Sequence, residues 1–129
     1  MLMIGRALFS ASDKSGLVEL ADGLAELGVE LIAGGGTARH LRAASLDVID
    51  LSDYTGTPHL VGGRVKTLHP LVYAGILARR DNEGDHVDVV AHEVKLIDLV
   101  VVNLYPFESA VSEETPIDEA TELIDVGGV

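Results

Sequence analysis

The chain has 129 residues, 47% of them hydrophobic, which suits one compact domain with a single core and leaves no room for a second full one. Nine Lys and Arg against 21 Asp and Glu give a formal charge of -12, which repels a phosphate backbone, and 4% aromatics leave few platforms for stacking bases. With no Cys there is neither a disulfide framework nor a thiolate metal site, and no segment approaches the roughly 20 apolar residues of a membrane span. Nucleic acid and membrane are therefore not expected partners. The N-terminus lacks a secretory pattern, so a cytoplasmic location is the default.

Taken in chain order, apolar runs alternate with helical patterns, the signature of a parallel sheet covered by helices. Residues 7–11 read as a first buried strand. Leu17, Leu20, Ala21, Leu24 and Leu27 then recur at helical spacing, with Gly28 as the C-terminal stop. Residues 29–33 form the predicted second strand, Gly34 to Thr37 a loop, 38–44 a short helix and 48–51 a third strand. Residues 52–58 are rich in turn formers. Periodicity leaves 70–78 open between helix and strand. Residues 81–85 read as a solvent loop and 87–94 as a helix, with His86 and His92 on or beside its solvated face. Residues 97–104 are apolar except at Asp98 and Asn103, as expected of a central parallel strand. Thr115-Pro116 opens a last short helix with Pro at its first position and Asp118-Glu119 in its first turn.

Three polar clusters fall at the carboxyl ends of predicted strands, where ligands gather in sheets of this kind. Ser12-Asp13-Lys14 follows the first strand, Gly34-Gly35-Gly36-Thr37 the second, and Asn103-Leu104-Tyr105 closes the long one. The glycines admit backbone amides to a phosphate, and Thr37 is placed to cap the next helix and to offer a hydroxyl. This loop matches neither the P-loop nor the GxGxxG pattern. The segment Arg64-Val65-Lys66-Thr67-Leu68-His69-Pro70, after Gly62-Gly63, gathers a guanidinium, an ammonium, a hydroxyl and an imidazole in an otherwise acidic chain. With Lys14 it supplies the local positive field that a small anionic substrate needs. The five His (His40, His59, His69, His86, His92) show no HxH or HExxH spacing, so no metal site is expected. Tyr105 and the Asp125-Val126-Gly127-Gly128 loop complete the candidate set.

Together Ser12 to Leu17, Gly35 to Ala38, Ser52 to Gly56, Gly63 to Pro70, Asn103 to Phe107 and Ile124 to Gly128 resemble the IMP cyclohydrolase domain of the bifunctional purine-biosynthesis enzyme that also carries an AICAR transformylase domain. The resemblance runs over essentially the whole chain. It implies a methylglyoxal-synthase-like, three-layer α/β/α domain with a mostly parallel sheet, spanning residues 1–129, without the transformylase domain. It also implies closure of the ring of 5-formamidoimidazole-4-carboxamide ribonucleotide (FAICAR) to IMP, with no metal or redox cofactor, and a homodimer. By the same analogy Ser12, Lys14, Gly34, Gly35, Gly36, Thr37, Arg64 and Thr67 hold the phosphate and ribose. Asn103, Asp125, Val126, Gly127 and Gly128 address the imidazole substituents, and Lys66, Tyr105 and Asp125 are the candidates for proton transfer.

Three departures from the family pattern stand out. Gly34 occupies a position where Ser or Thr is usual, and Tyr73 replaces a His that often follows the HP pair. The family also continues past the position of Val129 into a helix that carries a further catalytic lysine, so weak or absent turnover is the expectation for the chain on its own. The rival reading is a regulatory module of the same fold, as in carbamoyl phosphate synthetase, where a phosphate ligand binds and no bond is made. The Lys66-Thr67-Leu68-His69 motif argues against it, and the Asp and His pattern of methylglyoxal synthase is not found.

Overall fold

A computed structural model describes residues 3–124. Four strands, β1 (Arg6–Ala11), β2 (Glu30–Ala33), β3 (Ile49–Asp50) and β4 (Leu99–Asn103), pair in parallel in the order β3-β2-β1-β4. Parallel neighbours need long crossovers, and helices supply them. These are α1 (Leu17–Glu26), α2 (Gly35–Ala43), α3 (Leu51–Thr55), α4 (Pro70–Leu77) and α5 (Glu83–Ala91), with α6 (Phe107–Ala110) and α7 (Ile117–Glu122) after the last strand.

The alternation of side chains along β1 divides the core in two. Ala7, Phe9 and Ala11 face α1 and α2, where they pack with Leu17, Ala21, Leu24, Leu31, Ala38 and Leu41. Leu8 points the other way and packs with Ile32, Leu51, Tyr54, Val72 and Ile97 beneath α3 and α4. Helices thus cover both faces, which makes the three-layer α/β/α architecture expected from the sequence.

Several local expectations give way to the structure. The long apolar run becomes β4, which pairs only with β1 among the described residues and so lies at a sheet edge, with Val100 and Val102 exposed. β1 and β2, each with two neighbours, are the buried inner strands. The third strand stops at Asp50, because the Asp50 carboxylate accepts from the Ser52 amide and caps α3. The turn formers at 52–55 are therefore helical, and the chain turns at Gly56, whose φ is 71°. The glycine loop is likewise mostly helix, since α2 begins at Gly35.

The undecided segment 70–78 is α4. Pro70 sits in its first turn, and the His69 ring caps it by accepting from the Leu71 amide at 3.1 Å. Since Nδ1 accepts, the ring proton is on Nε2, which donates to Thr57 Oγ1 at 3.1 Å. The solvent loop at 81–85 also shortens: the Asn82 side chain accepts from the Asp85 amide and starts α5 at Glu83. Gly28, at φ 80°, ends the first helix as expected, but α1 closes at Glu26 and leaves Leu27 exposed. Pro116 is the cap of α7 rather than its first residue.

One close approach fixes how α4 meets the sheet. A Cβ on Gly75 would lie 2.7 Å from the Tyr54 hydroxyl and 2.8 Å from the Lys95 carbonyl. The Tyr54 hydroxyl is held by the Leu71 carbonyl at 3.2 Å and the Lys95 carbonyl at 2.5 Å, and burial pushes its pKa up. Tyr54 is thus a core residue with a satisfied polar tip.

Candidate functional site

Parallel pairing brings the carboxyl ends of β1, β2, β3 and β4 to one edge of the sheet, and a cavity of about 750 Å³ opens there. Its floor is built by β1. The Thr37 side chain reaches back from α2, accepting from the Ala11 amide and donating to the Ala11 carbonyl, both at 3.2 Å. That geometry corrects the reading of Thr37 as a helix cap. Gly34 holds the cap position, and the Thr37 hydroxyl proton is committed to β1, so Thr37 offers a ligand its backbone amide.

Beside it, the Asn103 side chain clasps the loop after β1. Its Oδ1 accepts from the Ser12 and Asp13 amides at 2.7 and 2.9 Å, and its Nδ2 donates to the Asp13 carbonyl at 2.7 Å. Asp13 in turn accepts from the Ser15 hydroxyl at 2.6 Å and the Ser15 amide at 2.9 Å, bonds that hold its carboxyl below the usual range. Lys14 follows, its Nζ donating to the Ser12 carbonyl at 3.2 Å. This chain of short-range bonds places an ammonium at the end of β1.

The remaining walls carry more positive charge. Of the nine Lys and Arg in the chain, Lys14, Arg39, Arg64 and Lys66 line this one cavity. Arg6, Arg42, Arg79 and Arg80 each meet a carboxylate elsewhere. Among the described residues only Arg64 of the four cavity cations has a carboxylate within ion-pair distance, that of Glu122 on α7. Among the described residues the other three have no ion-pair partner, and four cations around one cavity in a chain of charge -12 make a local field for an anion. The first-turn amides of α2 point the same way, as the N-terminus of a nine-residue helix.

Gly35 lets Lys66 reach this point. Its φ is +54°, and a Cβ there would come within 3.0 Å of Lys66 Nζ. Gly36 lies against Arg39 and Lys14, at 3.6 and 4.0 Å from the corresponding Cβ position. Thr67 is buried beneath the same wall, and Tyr105, 41% exposed, stands at the end of β4.

The structure therefore brings together Ser12, Lys14, Gly35, Gly36, Thr37, Arg64, Lys66, Thr67, Asn103 and Tyr105. Gly34 is set apart from them. It is buried behind the wall, where a Cβ would sit 3.2 Å from Leu51 Cβ and 3.4 Å from His59 Nε2. Asp125, Val126, Gly127 and Gly128 lie outside the described residues. Arg39, His59, Thr121 and Glu122 also line the cavity and were not singled out from the sequence. Arg39 could have been found, because it stands three residues after Gly36 and so on the same face of α2. For His59 and Glu122 no periodicity gives the signal.

The described residues contain no group of three or more His, Asp and Glu that could hold a metal ion, and no helix long and apolar enough to cross a membrane.

Residues 16–129 match the MGS-like domain family. The chain is 56% identical over 128 residues to the bifunctional purine biosynthesis protein PurH of Cereibacter sphaeroides and 53% identical over 129 residues to that of Magnetococcus marinus. Each match covers 99% of this chain and 24% of the relative, so the chain spans about a quarter of the length of the curated relatives it matches. Among solved structures, the crystal structure of ForH matches with a TM-score of 0.79 and 40% identity, covering 98% of this chain and 64% of that one.

Proposed function

The chain belongs to the MGS-like domain family, and on that premise we propose that it works in purine biosynthesis, closing the ring of FAICAR to give IMP and water. The observation that carries this reading is the cavity with its four cations, set at the carboxyl edge of the sheet in a chain 56% identical to PurH. A doubly charged phosphate ester fits Lys14, Arg64 and the α2 amides, and the rest of the cavity leaves room for a ribosyl imidazole.

The reaction needs the carboxamide nitrogen to attack the formyl carbon. One proton leaves that nitrogen and one reaches the formyl oxygen, giving a carbinolamine. Its hydroxyl then departs with the proton of the formamido nitrogen as water. Lys66 and Tyr105 are assigned to the formyl oxygen, where an ammonium stabilises the developing alkoxide. Asp125 is assigned to the carboxamide. Because the ring closure is intramolecular, holding the phosphate end lets binding energy set the attack geometry.

The test is a spectrophotometric assay of IMP formation, run on this chain and on a chimera in which it replaces the matching quarter of the Cereibacter sphaeroides relative. Turnover that falls about 10²-fold or more in Lys66→Ala, with IMP affinity changed little, supports the assignment. Nucleotide binding without ring closure in either protein would overturn it in favour of a regulatory binding module.

A further inference from the structure

His59 lies in the loop between α3 and α4 and lines the cavity, yet the proton-transfer and phosphate assignments leave it without a role. Its ring rests against the N-terminus of α2: Nε2 and Cε1 are 3.4 and 3.5 Å from the position a Cβ on Gly34 would take. Lys66 Nζ occupies the equivalent place over the next residue, Gly35. An imidazole and an ammonium therefore flank the helix end where the first amides await an acceptor.

Nε2 is 3.7 Å from Asp50 Oδ1, close enough for charge attraction and beyond hydrogen-bond length. That contact is one of several that hold Asp50 ionised. Burial opposes its ionisation, but the Ser52 hydroxyl and amide, with the charges of His59 and Arg42, hold its carboxyl below the usual range. Arg42 Nη1 lies 3.5 Å away. Among the described residues His59 has no hydrogen-bond partner, and its side chain is 30% exposed. The ring thus faces a carboxylate on one side and the cavity on the other, with both N–H donors open when it is protonated.

Resting on the reading of the cavity as a phosphate-ester site, we propose that His59 is a further ligand-binding residue whose imidazolium bridges the Asp50 carboxylate and the ligand's phosphate. The bare Gly34 makes room for it. A side chain there would press on both the His59 ring and Leu51, so only a bare residue at position 34 lets the ring settle against the helix end.

Calorimetric titration of wild type, His59→Ala and His59→Lys with IMP and with inorganic phosphate, at pH 6 and pH 8, tests this. At pH 6, loss of one charge-assisted contact weakens binding of both ligands about five- to tenfold in His59→Ala. His59→Lys stays within about twofold of wild type. The wild-type advantage over His59→Ala shrinks at pH 8, because an imidazole ordinarily changes charge between these values, whereas the carboxylate, guanidinium and ammonium types that face it, on Asp50, Arg42, Arg64, Lys66 and Glu122, ordinarily do not. Using the ratio of two proteins cancels the phosphate's own titration.

Equal affinity of His59→Ala and wild type at pH 6 overturns the proposal. So does an equal loss in His59→Ala and His59→Lys with lowered melting temperature, which marks a structural role. Binding of phosphate without IMP binding or ring closure sinks the cyclohydrolase reading alone, since phosphate still reports on His59. A wild-type chain that binds neither overturns both.

Discussion

Gly35→Ala probes the link between backbone and chemistry most directly. The φ of +54° lies in the left-handed region, where a Cβ costs on the order of 1–2 kcal/mol. The new methyl would also stand 3.0 Å from Lys66 Nζ, against an ordinary contact of about 3.5–4.0 Å. The lysine is flexible and yields by roughly 0.5–1 Å, so the steric part adds little to stability. For function that displacement matters, because misplacing a reacting group by about 1 Å can cost ~10²-fold in rate. The expected result is a melting temperature lower by about 3–8 °C and a kcat for IMP formation reduced about 10- to 100-fold. Gly23→Ala is the control. Gly23 lies within α1 with ordinary φ and open space around its Cβ position, so the same change should stabilise by about 0.5–1 kcal/mol and leave turnover alone. If Gly35→Ala loses stability but keeps wild-type kcat, Lys66 does not act from the place the structure gives it.

Asn103→Ala removes three hydrogen bonds from the loop that carries Lys14, and the expected outcome is faster amide exchange at Ser12 and Asp13 with phosphate affinity several-fold lower. Unchanged exchange would show that the clasp does not hold the loop. Gly75→Ala should destabilise by about 1–3 kcal/mol in urea titration despite alanine's better helix propensity, because its Cβ would meet the Lys95 carbonyl at 2.8 Å. A stabilised variant would mean that α4 packs further from the sheet. Asp85, bonded by the Arg79 guanidinium and amide, has its pKa lowered to about 2. A depressed carboxyl contributes stability above its unfolded value of about 3.9, and that contribution is lost as pH falls through about 2. NMR titration of the Asp85 carboxyl near 4 would refute the pairing, and Arg79→Ala should raise its pKa only part of the way, because the backbone amide at position 79 still donates to it.

The two-sided core was legible because β1 writes it in sequence: Ala7, Phe9 and Ala11 alternate with Leu8 and Ser10, and helical spacing repeats after it. What misled were residues whose chemistry serves either of two structures. Ser52 looks like a turn former and Asp50 like the end of a strand, and together they form a capping pair, but the turn they start continues as α3. Asn82 and Asp85 repeat the case at the start of α5. The apolar composition of β4 suggested a strand buried on both sides, whereas the sheet order gives the inner positions to β1 and β2. Composition reports how much apolar surface a strand can bury, and only pairing decides what lies beside it.

The cavity was legible to a similar degree, and for a physical reason. Ser12, Lys14, Gly35, Gly36, Asn103 and Tyr105 sit where strands end, so the parallel topology alone brings them to one edge. Arg64 and Lys66 were visible as an excess of charge. His59 was not, because nothing in a linear spacing says that a loop residue will settle over Gly34, or that Asp50 will stand on its far side. The same gap explains Thr37 and His69, whose hydroxyl and imidazole look like ligand groups in a motif and are bonded within the fold. A polar group in a motif is available to a ligand only after the backbone has taken what it needs. The groups left over here, the Lys14 ammonium beside Gly36, the His59 imidazole beside Gly34 and the α2 amides, gather at the N-terminus of α2, and that convergence is the strongest physical argument that an anion binds there.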